Sequence, residues 1–204
     1  MEDIPVRTLD EVLAVCRFME DFPEPWWIGG GWALDVWAGG SSREHEDIEI
    51  CVLREAQDAI HAHCRGWDNY LPGGATWIQT SNETRLAFPD FMLHLRETPN
   101  ARTFAGMPPT FEFLLNDVVD GEWLFLPDPR IRLPFERVMV RSTLGPMVTT
   151  PEIVLFTKAY WGHRPKDNHD FERVRGLLSA DQRSWLAQHI RERRPDDPWL
   201  AHLG

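Results

Sequence analysis

The stretch that decides the fold runs from Trp27 to Ile50: W-I-G-G-G-W-A-L-D-V-W-A-G-G-S-S-R-E-H-E-D-I-E-I. Trp26-Trp27-Ile28 reads as a short buried strand that runs into Gly29-Gly30-Gly31. Trp32 to Trp37 then reads as a helix, closed by Gly39-Gly40. From Asp47 to Val52 the chain alternates strictly. Asp47, Glu49 and Cys51 fall on one face of a strand, and Ile48, Ile50 and Val52 on the other.

Three glycines after a strand, opening a helix, let a backbone approach a bound phosphate closely, and the free N–H groups of a helix start favour anions. Alternate residues on a strand place their side chains roughly 7 Å apart. Two such carboxylates suit a shared divalent ion, or two ions a few ångströms apart, clamping phosphates for in-line displacement. Mg²⁺ takes oxygen ligands, commonly one or two carboxylates plus substrate phosphate. Taken singly, each feature has a plainer reading: a tight turn before a helix, or a solvated strand face. A dinucleotide-binding βαβ unit also places an acid ~18–20 residues after a glycine-rich turn. It would require glycine or alanine at Leu34 and only one acid, whereas here two point the same way.

Outward from this segment, Thr8 and Glu11 form a capping box that opens a helix with apolar residues at Leu9, Val12, Leu13, Cys16 and Met19, ended by Pro23 and Pro25. Arg54 to Cys64 reads as a helix. In it His61 and His63 point apart, which speaks for a surface helix rather than a metal site. Strands are expected near Thr76–Gln79, Thr84–Phe88, Phe91–Arg96 and Phe111–Asn116, the last joined to Glu122–Leu126 by an Asp120-Gly121 hairpin turn. The proline-rich stretch from Pro127 to Pro146 reads as loop or edge structure. From Thr150 the pattern is helical: Thr150 as cap with Pro151 at the first position, a second helix over Asn168–Leu178, a third opened by the Ser179/Gln182 capping box, and a last turn from Pro198. The expected organisation is an α/β head over 1–148 and a helical lobe over 149–204, with a cleft between them.

The 204 residues carry 21 Lys and Arg against 32 Asp and Glu, a net charge of −11. This argues against a protein whose main task is holding a nucleic-acid backbone, and the one basic cluster, Arg191 to Arg194, marks no track along a cleft. Hydrophobic residues at 43% speak for a packed globular chain. Ten Trp predict a packed core or aromatic-walled clefts. No stretch is long and apolar enough for a transmembrane helix, and no signal-peptide core follows the first residues, so the expected location is the cytoplasm. Three scattered cysteines give no disulfide framework. Walker A and G-x-S-x-G patterns are absent, which disfavours P-loop and acyl-transfer chemistry.

The glycine pair, the helix, and then Arg43-x-His45-x-Asp47-Ile-Glu49-Ile resemble the signature of the DNA-polymerase-β-like nucleotidyltransferases. The spelling G-G-W-A-L-D is similar to the aminoglycoside 2''-adenylyltransferase and lincosamide nucleotidyltransferase group. Val118 to Phe125, Pro151 to Lys158 and Lys166-Asp167-x-x-Asp170-Phe171 extend the resemblance, while residues 65–110 match weakly. The resemblance implies an α+β fold, a mixed nucleotidyltransferase sheet flanked by helices with a C-terminal helical lobe. It implies transfer of a nucleoside monophosphate, AMP from ATP or another nucleoside triphosphate, onto a hydroxyl of a small molecule such as an aminoglycoside-like antibiotic. Pyrophosphate would leave, with two Mg²⁺ ions as cofactors. Gly30 and Gly31 would hold the phosphates, joined by Arg43 and Lys158. Asp47 and Glu49 would bind metal, and a third acid on a neighbouring strand would act as ligand and base. Glu112 is the choice for that acid, because in F-E-F-L-L-N it shares a face with Leu114 and Asn116; Asp90 and Asp117 are the alternatives. Lys166, Asp167 and Asp170 read as a structural charge cluster at a helix start. The competing expectation is a non-catalytic relative that keeps the fold as a ligand- or partner-binding module.

Overall fold

A computed structural model describes residues 6–74 and 76–204. The capping box at Thr8 and Glu11 opens helix α1, Leu9–Phe18. Strand β1, Trp26–Ile28, leads through Gly29 into helix α2, Gly30–Trp37, and the chain returns as β2, Glu49–Leu53. Asp47 lies two residues ahead of that strand rather than inside it. A single helical turn, Arg54–Ala56, precedes α3, Gln57–His63, and Gly66 at φ 90° turns the chain out of it. Four strands follow: β3 at Asp68–Gly73, β4 at Thr76–Thr80, β5 at Met92–Arg96 and β6 at Thr110–Val119. Asp120 and Gly121, both at positive φ, make the expected hairpin turn into β7, Glu122–Leu124.

Strands β8 (Arg132–Pro134), β9 (Met139–Arg141) and β10 (Met147–Thr149) complete the sheet. Only helices come after: α4 at Pro151–Trp161, α5 at Pro165–Val174, α6 at Ala180–Arg193, and a short turn at Pro198–His202. The spatial order is β4-β3-β5-β6-β2-β1-β10-β9, with β7 on the far part of β6 and β8 beside β7. β2 and β6 are parallel, as are β1 and β10; the remaining pairs are antiparallel. The expected mixed sheet with flanking helices is thus present. No helix among the described residues is long and apolar enough to cross a membrane.

Three expectations are corrected. Thr84–Phe88 is not a strand; the Gln57 side chain takes both the N–H and the C=O of Leu86 and holds this segment as a loop. Asp68–Gly73 and Met147–Thr149 are strands, although Pro72 and the neighbouring Pro146 disguise them. Thr150 stands at the N-cap of α4, but its hydroxyl donates to the Arg137 carbonyl at 3.2 Å instead of capping the helix.

The core lies on both sides of the sheet. On one side Phe18, Trp67, Phe111 and Phe113 meet edge to face, with Trp67 and Phe111 centroids 5.2 Å apart. Elsewhere Phe156 of α4 contacts Phe125 and Trp185, and Phe171 stacks on Trp199 at 4.3 Å. Trp27, Trp32, Trp67, Trp123 and Trp199 are buried, whereas Trp77 and Trp161 are exposed.

Glu152, in the first turn of α4, is buried and accepts from Gln182 Nε2 at 2.7 Å. Burial pushes its carboxyl above the usual glutamate range, against the pull of that hydrogen bond. In the window between the two values the folded chain keeps a proton that the unfolded chain has lost, so stability falls as pH rises through it. Glu152→Gln flattens this fall and raises Tm at pH 8 relative to wild type, by about 2–4 °C per kcal/mol for a chain of this size; thermal melts from pH 5 to 8 measure it.

Candidate active site

The parallel register of β2 and β6 sets Glu49 directly opposite Glu112. Paired residues on neighbouring strands share a face, so both carboxylates stand on the same side of the sheet. Glu49 is half-buried and Glu112 is buried. Burial pushes the Glu49 carboxyl up to about 8, and the charges of Asp47 and Glu112 push the same way, opposed by Lys158 and Lys166. Glu112 is paired with His94 Nδ1 at 3.1 Å.

Gly30 and Gly31 make room for these side chains. A Cβ on Gly30, which sits at φ 54°, would fall inside the Glu49 carboxyl group. A Cβ on Gly31 would collide with Arg43 Nη2 and lie 2.8 Å from His45 Nδ1. Gly29, the N-cap of α2, offers no side-chain cap, so no side chain competes at this helix start for the first N–H groups.

Gly30, Gly31, Arg43, Asp47, Glu49 and Lys158 line one cleft of about 270 Å³, between the strand ends and α4. Glu112 does not line it; it stands opposite Glu49 on the neighbouring strand. Asp117 is taken by a bidentate pair with Arg54 (2.7 and 3.0 Å), and the Asp90 carbonyl accepts from the same guanidinium. Among the described residues no three His, Cys, Asp or Glu side chains are gathered into a group able to hold a metal ion.

The cations of the cleft are set by buried acids on α5. Lys158 Nζ is 3.0 Å from Asp167 and 2.9 Å from Asp170. Arg43 grips Asp170 through Nε at 2.7 Å and Nη2 at 2.9 Å. Asp167 is fully buried and also accepts from the Arg164 side chain and backbone N–H. Burial works to raise the Asp167 carboxyl, but hydrogen bonds from Arg164 and Lys158 hold it well below the usual carboxylate range. Lys166 reaches only Glu46, at 3.8 Å. Asp167 and Asp170 thus form a structural charge cluster, and Lys158 is a member of it, with two of its three N–H donors engaged.

One partnership of the site carried no local signal, the pairing of Asp35 with His45. Asp35 on α2 is buried and accepts from Ser42 N at 2.9 Å, Ser42 Oγ at 2.6 Å and His45 Nε2 at 2.8 Å. This fixes the imidazole, which stacks on Trp32 at 4.2 Å and lines the cleft. Burial would raise the Asp35 carboxyl, but the His45 and Ser42 hydrogen bonds hold it below its ordinary value.

The architecture is the α+β fold of the antibiotic nucleotidyltransferases. A lincomycin-bound lincosamide antibiotic adenylyltransferase, LnuA, superposes with a TM-score of 0.59 at 15% identity over 85% of this chain and 100% of that one. ANT(2'')-Ia in complex with adenylyl-2''-tobramycin gives 0.57 at 15% identity over 89% and 95%. In sequence, residues 11–66 match the family Aminoglycoside-2''-adenylyltransferase, and that segment holds the glycine turn, Arg43, Asp47 and Glu49. A 2''-aminoglycoside nucleotidyltransferase of Klebsiella pneumoniae is 32% identical over 62 residues, 30% of this chain and 33% of that protein. The chain therefore matches about a third of the length of this curated relative.

Gly30→Ala meets both the Glu49 carboxyl and a positive φ, and is expected to cost about 1–3 kcal/mol. Glu49→Ala in the same chain recovers part of the loss, a coupling read by a double-mutant cycle of urea melts. Asp170→Asn removes the carboxylate that Arg43 grips and leaves Lys158 with Asp167 alone, and is expected to cost about 3–5 kcal/mol, read from the same melts.

Proposed function

We propose that this chain is a Mg²⁺-dependent nucleotidyltransferase that moves AMP from ATP to a hydroxyl of a small molecule of the amino-sugar antibiotic type. The observation that carries this reading is the pairing of Glu49 with Glu112 at the foot of a glycine turn, with Asp47 lining the same cleft as Glu49. The glycine turn, Asp47 and Glu49 lie within the segment, residues 11–66, that matches the adenylyltransferase family, which supports the same reading; Glu112 lies outside it.

The donor set suits magnesium. It consists of carboxylate oxygens; burial first, and then the charges of Asp47 and Glu112, lift the Glu49 carboxyl, and a hard divalent cation relieves that charge. Asp47 and Glu49, which line the cleft, would hold the ions, and Glu112, outside that lining, would join them once the three carboxylates draw together. When bound, the metal supplies neutralisation of phosphate charge and a lowered pKa for the acceptor hydroxyl. The N–H groups at the start of α2, with Gly30 and Gly31, receive the phosphates, as helix starts do. Arg43 and Lys158 face the same cleft, held by Asp170 so that their remaining donors add positive charge there.

Glu112 takes the proton of the acceptor hydroxyl. The freed oxygen forms a bond to the α-phosphorus of ATP, the bond from that phosphorus to the bridging oxygen breaks, and pyrophosphate leaves with the electron pair. A Glu112 outside the cleft lining is also what a binding module without catalysis would show, and the assay separates the two. Calorimetry on the wild type gives ATP binding that depends on Mg²⁺, and Asp47→Ala abolishes it. Glu112→Gln still binds the nucleotide but loses about 100-fold or more in turnover. Nucleotide binding that ignores Mg²⁺, or no binding by the wild type, sinks the reading.

A further inference from the structure

Glu112, the acid assigned to the proton, is buried outside the lining of the nucleotide cleft, at the closed end of a row of side chains that opens away from it. Its register row runs away from β2, through His94 on β5 and Tyr70 on β3 to Gln79 on β4. These residues share the face of Glu49, and Trp77, two positions from Gln79, joins them. The opposite face is closed by Leu93, Leu95, Phe111 and Phe113 in the core. The Glu112 face becomes open along the row: His94 and Tyr70 are half-buried, and Trp77 and Gln79 are exposed.

His94 links the two ends of this row. Its Nδ1 lies 3.1 Å from Glu112 Oε1, and its ring stacks on Trp77 with centroids 4.3 Å apart and planes 23° apart. The Tyr70 ring is already covered by the Arg96 guanidinium at 4.7 Å. The free aromatic surface is therefore that of Trp77, 40% exposed on an edge strand. An indole pairs a broad apolar face with one polar donor, the combination that binding surfaces use for ligands of mixed character.

We infer that the acceptor docks on this open face of β5, β3 and β4, with a hydroxyl-bearing sugar ring laid against Trp77, and that His94 is a positioning residue that fixes Glu112 while backing the indole. The inference rests on the nucleotidyl-transfer reading above. In-line displacement requires the attacking and leaving oxygens on opposite sides of the phosphorus. The glycine turn, Arg43 and Lys158 gather the phosphates on the α2 and α4 side, so attack comes from the side of β5 and β3. A sugar ring suits the place because its C–H face stacks on an indole while its hydroxyls point outward, one of them toward Glu112.

The test uses the full chain with ATP, Mg²⁺ and two probes, tobramycin and lincomycin. Expected is turnover of at least one probe. Trp77→Ala raises the KM for that probe about tenfold or more, while the Kd for ATP with Mg²⁺ stays within about twofold; Trp77→Phe restores most of the loss. His94→Ala lowers kcat about tenfold or more with the probe's KM little changed, and His94→Asn, which keeps an N–H near the Nδ1 position, recovers part of it. For a probe that binds without turnover, the Trp77 indole N–H resonance, assigned by its absence in Trp77→Phe, moves on titration. An unchanged probe KM in Trp77→Ala, or an equal rise in nucleotide Kd, overturns the inference. So does an unmoved Trp77 resonance, or failure of both probes to bind a wild type that binds ATP with Mg²⁺; the nucleotidyl-transfer reading then stands without it. Failure of the wild type to bind ATP with Mg²⁺ removes that reading itself.

Discussion

The parallel pairing of β2 with β6 is the constraint around which the rest of this molecule is arranged. Both strands lie inside the sheet and carry buried apolar residues, Ile50, Val52, Phe113 and Leu115, that fix their register through the core. A slip by one residue would turn every one of these side chains to the other face. The same register leaves Glu49 and Glu112 side by side, an arrangement that two like charges resist. The surroundings answer it: His94 holds Glu112, and Lys158 and Lys166 bear on Glu49. The apolar core thus holds in place a polar pairing that would not assemble by itself.

Around that pair, the cationic side of the cleft is built indirectly. Arg43 precedes β2 and Lys158 lies on α4, yet both are aimed by Asp170 on α5, a residue 2% exposed. Buried ion pairs of this kind add little net stability against apolar packing, but they fix geometry, and losing one partner leaves a charge stranded. On the other side of the glycine turn Asp35 aims His45 in the same manner.

Much of this was legible locally. The strand, turn and helix from Trp26 to Trp37, both Ser/Thr capping boxes and the Asp120-Gly121 hairpin are written in adjacent residues, where sterics and short-range hydrogen bonds decide. Glu112 was legible because alternation in F-E-F-L-L-N places it with Leu114 and Asn116. Strand β3 was obscured within a stretch that reads as mostly β, because D-N-Y-L-P-G carries a proline and a glycine, residues that weaken a strand reading but are tolerated here because β5 pairs only with Asp68–Tyr70 and leaves Pro72 on an open side. The loop at Thr84–Phe88 read as a strand because its competitor, the Gln57 amide, lies 29 residues away. The clasp of Arg43 by Asp170 spans 127 residues and has no sequence period to announce it. What the sequence concealed were long-range side-chain partnerships, which periodicity and propensity do not encode.

That clasp bears on how such a chain can be inherited. Asp170 serves one cation from the sheet-bearing part and one from the helical part, so Arg43 depends on the helical part for its carboxylate partner. A helical segment exchanged from another protein would have to bring an acid in register with Arg43, or the arginine would have to change with it. An exchange made after Thr149 therefore leaves Arg43 without its carboxylate unless the incoming helices restore one, whereas the β3–β4 edge holds no part of the clasp.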